Sequence, residues 1–232
     1  MSENYRVKSA SDMVAVHRVI VSVADKRNLE TLVEGVLGAN PEAVFYSTGG
    51  TYRGIQEILG SRASEHLMSI SEYTGRKEMA GGLVKTLDYR IYLGLLADAE
   101  NQEHAAHLRE AGAVSFDMTV VNLYPFSKQV AASPNDLEGA RQNIDIGGPT
   151  LIRAAAKNFL RVAAVSDPDD YGAVAAELSA NGGALSLSTR FRLARSAFSH
   201  TGAYDNDISS WLDSRAELPL ESVYDSTDAP TE

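Results

Sequence analysis

Four short runs of branched and small apolar residues punctuate this chain, at residues 14–23, 43–46, 118–123 and 161–166. They show little alternation of apolar with polar residues. A strand of that kind needs cover on both faces, which is the habit of strands inside a parallel sheet. Between the runs, apolar residues recur at helical spacing instead. Leu29, Leu32, Val33, Val36 and Leu37 mark one such helix, which Gly38 and Pro41 end. Further helices are expected from the glycine turn at residues 47–51 through Leu59, over 103–111, from Gly147 to Asn158, and over 169–180 behind an Asp167-Pro168 cap. A long helical region over 186–212 is expected to break or bend near Gly202. Strands alternating with helices give an α/β fold: a mostly parallel sheet flanked by helices and joined by right-handed crossovers.

Length and charge narrow the function. The 232 residues suffice for one large domain, assigned to residues 17–212 between a mobile N-terminal tail (1–16) and an acidic C-terminal tail (213–232). There are no cysteines, which excludes disulfides, thiolate metal sites and a cysteine nucleophile and suits a reducing cytoplasm. The first dozen residues are polar, with no apolar signal segment, and no apolar run reaches the roughly 18 residues of a membrane span. A net charge of −10 argues against nucleic acid as a partner. It leaves room for a small anion, since a few lysines and backbone amides outweigh a negative surface locally.

Five stretches carry groups capable of chemistry. Ser22-Val23-Ala24-Asp25-Lys26 ends the first strand, where ligands sit in open α/β sheets; Asp25 as an ordinary helix cap beside a solvated lysine explains it equally. Ser47-Thr48-Gly49-Gly50-Thr51 offers free amides at a helix start, which suits an anion, yet it matches neither a Walker A loop nor a dinucleotide fingerprint. Asn143-Ile144-Asp145-Ile146-Gly147-Gly148 puts an aspartate beside two glycines, either as a proton acceptor or as an N-cap. Asn122-Leu123-Tyr124-Pro125-Phe126 closes the strongest strand with a tyrosine able to donate a proton or to pack at the sheet edge. Lys85-Thr86 is the fifth, where a surface lysine is the plain alternative.

Taken together and in order, these stretches, with Arg-Ala-Ala-Ala-Lys-Asn at residues 153–158, resemble the IMP cyclohydrolase domain of the bifunctional purine-biosynthesis family over about residues 18–212. The runs 120–126 and 143–158 are the most specific. The resemblance implies a methylglyoxal-synthase-like three-layer fold and a small ribonucleotide substrate. It implies dehydrative closure of 5-formamidoimidazole-4-carboxamide ribotide to IMP without metal or organic cofactor. Residue by residue, it implies catalytic roles for Lys85, Tyr124, Asp145 and Lys157. It implies substrate contacts from Ser22, Lys26, Thr48, Gly49, Gly50, Thr51, Thr86, Asn122, Ile146, Gly147 and Gly148. A homodimer is implied as well: an apolar helical surface around Phe191 and Phe198 suits one, and a helix buried within the chain gives the same pattern. Lys157 lies twelve positions beyond Asp145, roughly 18 Å along a straight helix, so the pair meets only if the chain folds back.

One loop departs from the family pattern. Where the family reads Gly-Arg-Val-Lys-Thr-Leu-His-Pro, this chain has Leu83 for the arginine, Asp88 for the histidine and Tyr89 for the proline. Tyr92-Leu93-Gly94 stands in place of a His-Gly-Gly segment, and Ala24 in place of a serine. An arginine fork is not replaced by leucine without loss. Two alternatives therefore accompany the main expectation: a same-fold enzyme acting on a different phosphorylated ribotide, and a non-catalytic ribotide-sensing domain. The match uses up the chain without reaching a transformylase half, which points to a stand-alone cyclohydrolase.

Overall fold

A computed structural model describes residues 7, 9–76, 86–98, 101–220 and 223–224. Among these residues seven strands form two sheets: β1 (Met13–Ala15), β2 (Arg18–Val23), β3 (Val44–Ser47), β4 (Leu67–Ser69), β5 (Met118–Asn122), β6 (Ala163–Val165) and β7 (Ala184–Ser186). Five of them, in the order β4-β3-β2-β5-β6, make one all-parallel sheet, and β1 pairs antiparallel with β7. The helices are α1 (Leu29–Ala39), α2 (Gly49–Leu59), α3 (Ala63–His66), α4 (Ile70–Thr74), α5 (Tyr89–Leu96), α6 (Gln102–Glu110), α7 (Phe126–Ala131), α8 (Leu137–Gln142), α9 (Gly147–Lys157), α10 (Tyr171–Ala180) and α11 (Leu187–Asp213).

The period of two along β2 divides the core. Val19, Val21 and Val23 face α1, α2 and α10, together with Leu32, Val36, Ile55 and Val174. Ile20 faces the other way, into a cluster with Ile91, Val121, Phe126, Leu151, Ala155, Ala194 and Ala197, supplied by β5, α5, α7, α9 and α11. Each such aliphatic side chain, taken fully out of water, contributes about 1.5–3 kcal/mol. The unalternating runs read as two-sided strands are therefore covered on both faces.

Chain order places the site. From β2 the chain moves outward to β3 and β4, then returns across β2 to build β5 and β6. The carboxyl ends of β2 and β5 consequently flank the crevice at which strand order reverses, where open α/β sheets leave room for a ligand.

Several sequence expectations need correction. Residues 14–23 are not one strand: β1 and β2 belong to different sheets, with Val16 buried and His17 exposed between them. The segment expected as an N-terminal tail (1–16) thus contributes β1. Gly202 does not break α11, which runs unbroken from Leu187 to Asp213. It lies on the exposed side, while buried Leu193, Ala194, Ala197, Thr201 and Tyr204 keep helical spacing across it. The helix over 169–180 begins as a 3-10 turn at Pro168–Asp170. Past Asp213 the chain still packs: the Arg215 guanidinium lies 3.9 Å from the Trp211 ring centre, and the Tyr224 hydroxyl donates to Glu138 at 2.8 Å. Helices α5, α7 and α8 and strands β4 and β7 were not anticipated, since each is too short for a period to show.

Candidate functional site

The loop leaving β2 is set by Asn122, the last residue of β5. Its Oδ1 accepts from the backbone N–H groups of Ala24 and Asp25, both at 2.8 Å, and its Nδ2 donates to the Asp25 carbonyl at 2.8 Å. Asn122, expected to hold substrate, lines the cavity described below, and its amide also clamps the two strand ends that form the crevice. The same amide contacts the hydroxyl of Tyr171, whose pKa burial pushes up. Thr51, also expected at the substrate, makes a comparable tie. Its hydroxyl both accepts from the Val23 N–H and donates to the Val23 carbonyl, at 3.1 Å each, tying α2 to the end of β2. Asp25 does not cap α1; it takes the N–H and guanidinium of Arg27, while Asn28 occupies the cap position.

Beside this clamp, α2 starts at Gly49 with φ of +56°, a conformation that favours glycine. The turn aims the first amides of α2 outward, where a helix start accepts an anion. Lys26 lays its stem along Gly54 and brings its ammonium toward Gly50: a Cβ on Gly50 would stand 3.7 Å from Lys26 Nζ and 3.9 Å from Arg53 Nη2. Two cations thus stand close to Gly50. Arg53 was missed in the sequence, although it follows the glycines by one helical turn.

At the crevice itself lies a cavity of about 260 Å³ walled by Ser22, Val23, Ala24, Asn122, Tyr124, Gln129, Asn143, Asp145 and Tyr204. Tyr124 is 54% exposed. Asp145 is held from two sides: its N–H donates to the Tyr204 hydroxyl at 2.8 Å, and its Oδ1 accepts from the Gly148 N–H at 3.1 Å. The cap alternative for Asp145 is thus realised, and the Gly148 amide is not free for a ligand. Gly148 is required for another reason. A Cβ there would stand 2.4 Å from Asp145 Oδ2 and 2.6 Å from Leu123 Cδ2, closer than atoms pack. Gly147 makes room likewise for buried Thr86, whose Oγ1 would be 2.8 Å from a Cβ. Ile146, at 61% exposure, lies at the surface next to them.

Tyr204 also went unrecognised in the sequence. Because its oxygen accepts from Asp145, its own proton remains available to donate, and burial raises its pKa and so keeps that proton in place. Tyr92, from the departing loop, carries a buried hydroxyl that forms no well-aligned hydrogen bond among the described residues, although Thr150 lies close. Burial pushes its pKa up to about 12. Asp88, the other departure, is structural: it caps α5 through the Arg90 N–H at 2.8 Å and pairs with Arg76 at 3.3 Å. Lys85 and Leu83 lie outside the described residues.

Lys157 is not brought to this cavity. It ends α9 at the amino edge of the sheet and lines a separate space of about 590 Å³ with Asp98, His104, Asp117 and Arg161. Asp145 stands before the opposite end of the same 11-residue helix, so roughly 15 Å of helix separates them. The chain does not fold back to join the two.

Comparison with known proteins agrees with this architecture. Residues 155–229 match the AICARFT/IMPCHase bienzyme family. The bifunctional purine biosynthesis protein PurH of Neisseria meningitidis serogroup A is 40% identical over 220 residues, covering 95% of this chain and 40% of that protein. PurH of Neisseria gonorrhoeae is 42% identical over 205 residues, or 88% of this chain and 38% of that one. The chain therefore spans about two fifths of the length of these relatives. The crystal structure of ForH superposes with a TM-score of 0.71 at 32% identity, covering 85% of this chain and 100% of that one. Motifs, parallel sheet and these matches agree: the chain belongs to the AICARFT/IMPCHase bienzyme family.

Proposed function

We propose that this chain performs the cyclohydrolase step of purine nucleotide biosynthesis, closing 5-formamidoimidazole-4-carboxamide ribotide to IMP with loss of water. The observation that carries this reading is the pairing of Tyr124 and Asp145 on one polar cavity at the crevice between β2 and β5. The loop from Ser22 to Lys26 runs from that cavity to the cationic turn at Gly50, a span suited to a heterocycle at one end and a phosphate at the other.

The reaction joins a weak nucleophile, the carboxamide nitrogen, to a weak electrophile, the formyl carbon. Both are in one molecule, so the protein gains most by fixing the rotamer in which they meet. In this reading Asp145, held by Tyr204 and the Gly148 amide, takes the amide proton as the carbon–nitrogen bond forms. The formyl oxygen gains negative charge in that step, and the hydroxyls of Tyr124 and Tyr204 are donors on the same cavity wall. The former formamido nitrogen then gives up its proton as the ring carbon–nitrogen double bond forms, and the protonated hydroxyl leaves as water.

Lys157 enters this scheme from a second copy. Along the exposed side of α9 run Ile146, Arg153 and Lys157, next to Phe191 and Phe198 of α11, which are 49% and 43% exposed. Arg153 stacks on Phe198 at 5.5 Å. Two copies packed with α9 antiparallel to α9 across a twofold axis would set the partner's Lys157 against Asp145. Mixing the inactive Asp145→Asn and Lys157→Ala proteins should then restore about a quarter of wild-type turnover, through one intact site in each hybrid dimer. No restoration would mean that Lys157 does not act across a subunit interface.

The deciding experiment is ultraviolet-monitored conversion of the formylated ribotide by purified protein with EDTA present. Enzyme-dependent appearance of IMP supports the reading. Tight ribotide binding without turnover would instead favour the sensing alternative, and turnover of another ribotide only would favour the altered-substrate one.

A further inference from the structure

Gln129, on the short helix α7, joins the cavity wall without having been singled out in the sequence. Its orientation is fixed by a chain of hydrogen bonds that begins at a group with a single role. The backbone carbonyl of Gly139 only accepts, so the Asn143 side chain must present Nδ2 to it, at 2.8 Å. That turns Asn143 Oδ1 toward Gln129, which meets it with Nε2 at 3.4 Å. The remaining atom, Gln129 Oε1, is buried and accepts no hydrogen bond among the described residues. A buried amide oxygen left in that state calls for a donor.

We propose that Gln129 determines specificity by accepting an N–H from the ligand, selecting a carboxamide over a carboxylate at the reacting position. This rests on the reading of the cavity as a ribotide cyclohydrolase site. The hydroxyls of Ser22, Tyr124 and Tyr204 donate or accept as required. Gln129 Oε1 and the Asp145 carboxylate only accept. A carboxamide nitrogen carries two hydrogens and satisfies both: one directed at Asp145 for removal, the other held by Gln129 so that the nitrogen faces the formyl carbon. A carboxylate offers no hydrogen and brings a charge toward Asp145, so the same two groups reject it.

The test is calorimetric titration of 5-aminoimidazole-4-carboxamide ribotide and of its 4-carboxylate analogue into the wild-type chain, Gln129→Leu and Gln129→Glu. The wild type should prefer the carboxamide. Gln129→Leu should lose roughly tenfold or more in carboxamide affinity with carboxylate affinity unchanged, since only the amide uses the acceptor. Gln129→Glu keeps the acceptor while losing the weak 3.4 Å donation to Asn143, so it should bind the carboxamide within about tenfold of the wild type and discriminate further against the carboxylate. Thermal melting separates these shifts from unfolding, and if the leucine variant does not fold, the glutamate variant alone decides. Both ribotides binding Gln129→Leu as they bind the wild type would mean that water satisfies Oε1, and would overturn the assignment. A wild-type chain that binds neither ribotide overturns the ribotide reading itself and the assignment with it.

Discussion

The two ends of the parallel sheet use polar residues in opposite ways. At the amino end, two arginines are buried among carbonyls. Arg161 donates to the carbonyls of Gly94 and Phe116, each at 2.6 Å, and pairs with Asp117 at 3.3 Å. Arg190, 1% exposed, donates to the carbonyls of Ser11, Asp12, Phe159, Leu160 and Leu185. Asp117 in turn accepts from the backbone of His17 and Arg18. Burial lowers the pKa of both guanidinium groups, the mark of charge held away from water. At the carboxyl end, some polar atoms lack well-aligned partners among the described residues: Gln129 Oε1 and Tyr92 Oη are buried, the latter with only Thr150 close by, and Tyr124 stands half in solvent. Buried polar groups are ordinarily satisfied, so a cluster of exceptions beside a cavity marks where a ligand completes the structure. The amino end is built to hold the fold and the carboxyl end to be finished by something else.

That contrast predicts that substitutions at one end cost turnover and at the other stability. The largest effect is expected at the carboxyl end. Asp145→Asn and Tyr124→Phe should each lower kcat by about 10²–10⁴-fold, the range for loss of a positioned acid or base. Tyr124→Phe should leave Tm nearly unchanged, because its hydroxyl bonds to nothing among the described residues. A kcat within threefold of wild type for both variants would remove them from the chemistry.

At the amino end the expectation reverses. Arg161→Met leaves Asp117 buried without its cation and strands several carbonyls, which should cost about 3–5 kcal/mol. For a chain of this size that lowers Tm by roughly 10 °C, with kcat per folded molecule unchanged. A variant that melts like the wild type but turns over slowly would reverse the comparison. Gly148→Ala sits between the two cases. Its Cβ collides with Asp145 and Leu123, so it should cost about 1–3 kcal/mol as overpacking and also displace the carboxylate, lowering kcat. Loss of stability with kcat intact would show that Asp145 relaxes without consequence.

Legibility in the sequence followed the same division. Elements with a long signal of their own were readable: α1 and α9 from helical apolar spacing, and β5 and the core of β2 from unbroken apolar runs, although the run 14–23 hid the break between β1 and β2. The one-turn helices α7 and α8 were not, and they carry Gln129 and the approach to Asn143. The glycine motifs were located correctly but interpreted too simply. Gly49 supplies a left-handed turn, whereas Gly147 and Gly148 clear space for Thr86 and Asp145. Likewise Asn122 and Thr51 stand at the site because they assemble it. Residue type cannot separate a side chain that touches substrate from one that clamps the loop that does, since both require a small polar group at a strand end. Only the hydrogen-bond partners tell them apart.

His200 gives the smallest and most diagnostic prediction. It sits four residues before Tyr204 on α11, and its Nε2 is buried without a partner among the described residues. Burial pulls its pKa below the ordinary 6.5, against a weaker opposing pull from Asp167. The folded chain therefore holds the imidazole neutral at a pH where the unfolded chain has begun to protonate it. Between the folded pKa and 6.5 the unfolded state binds more protons, so the contribution of His200 to stability is full above pH 6.5 and is lost as pH falls below it. In melts taken from pH 8 to 5.5, the wild type should lose more Tm than His200→Gln, with the gap opening only below about pH 6.5. Parallel curves would mean that His200 is hydrated or paired in the folded chain. It would then not belong with the unsatisfied groups of the carboxyl end, and the contrast between the two ends would narrow to the cavity wall itself.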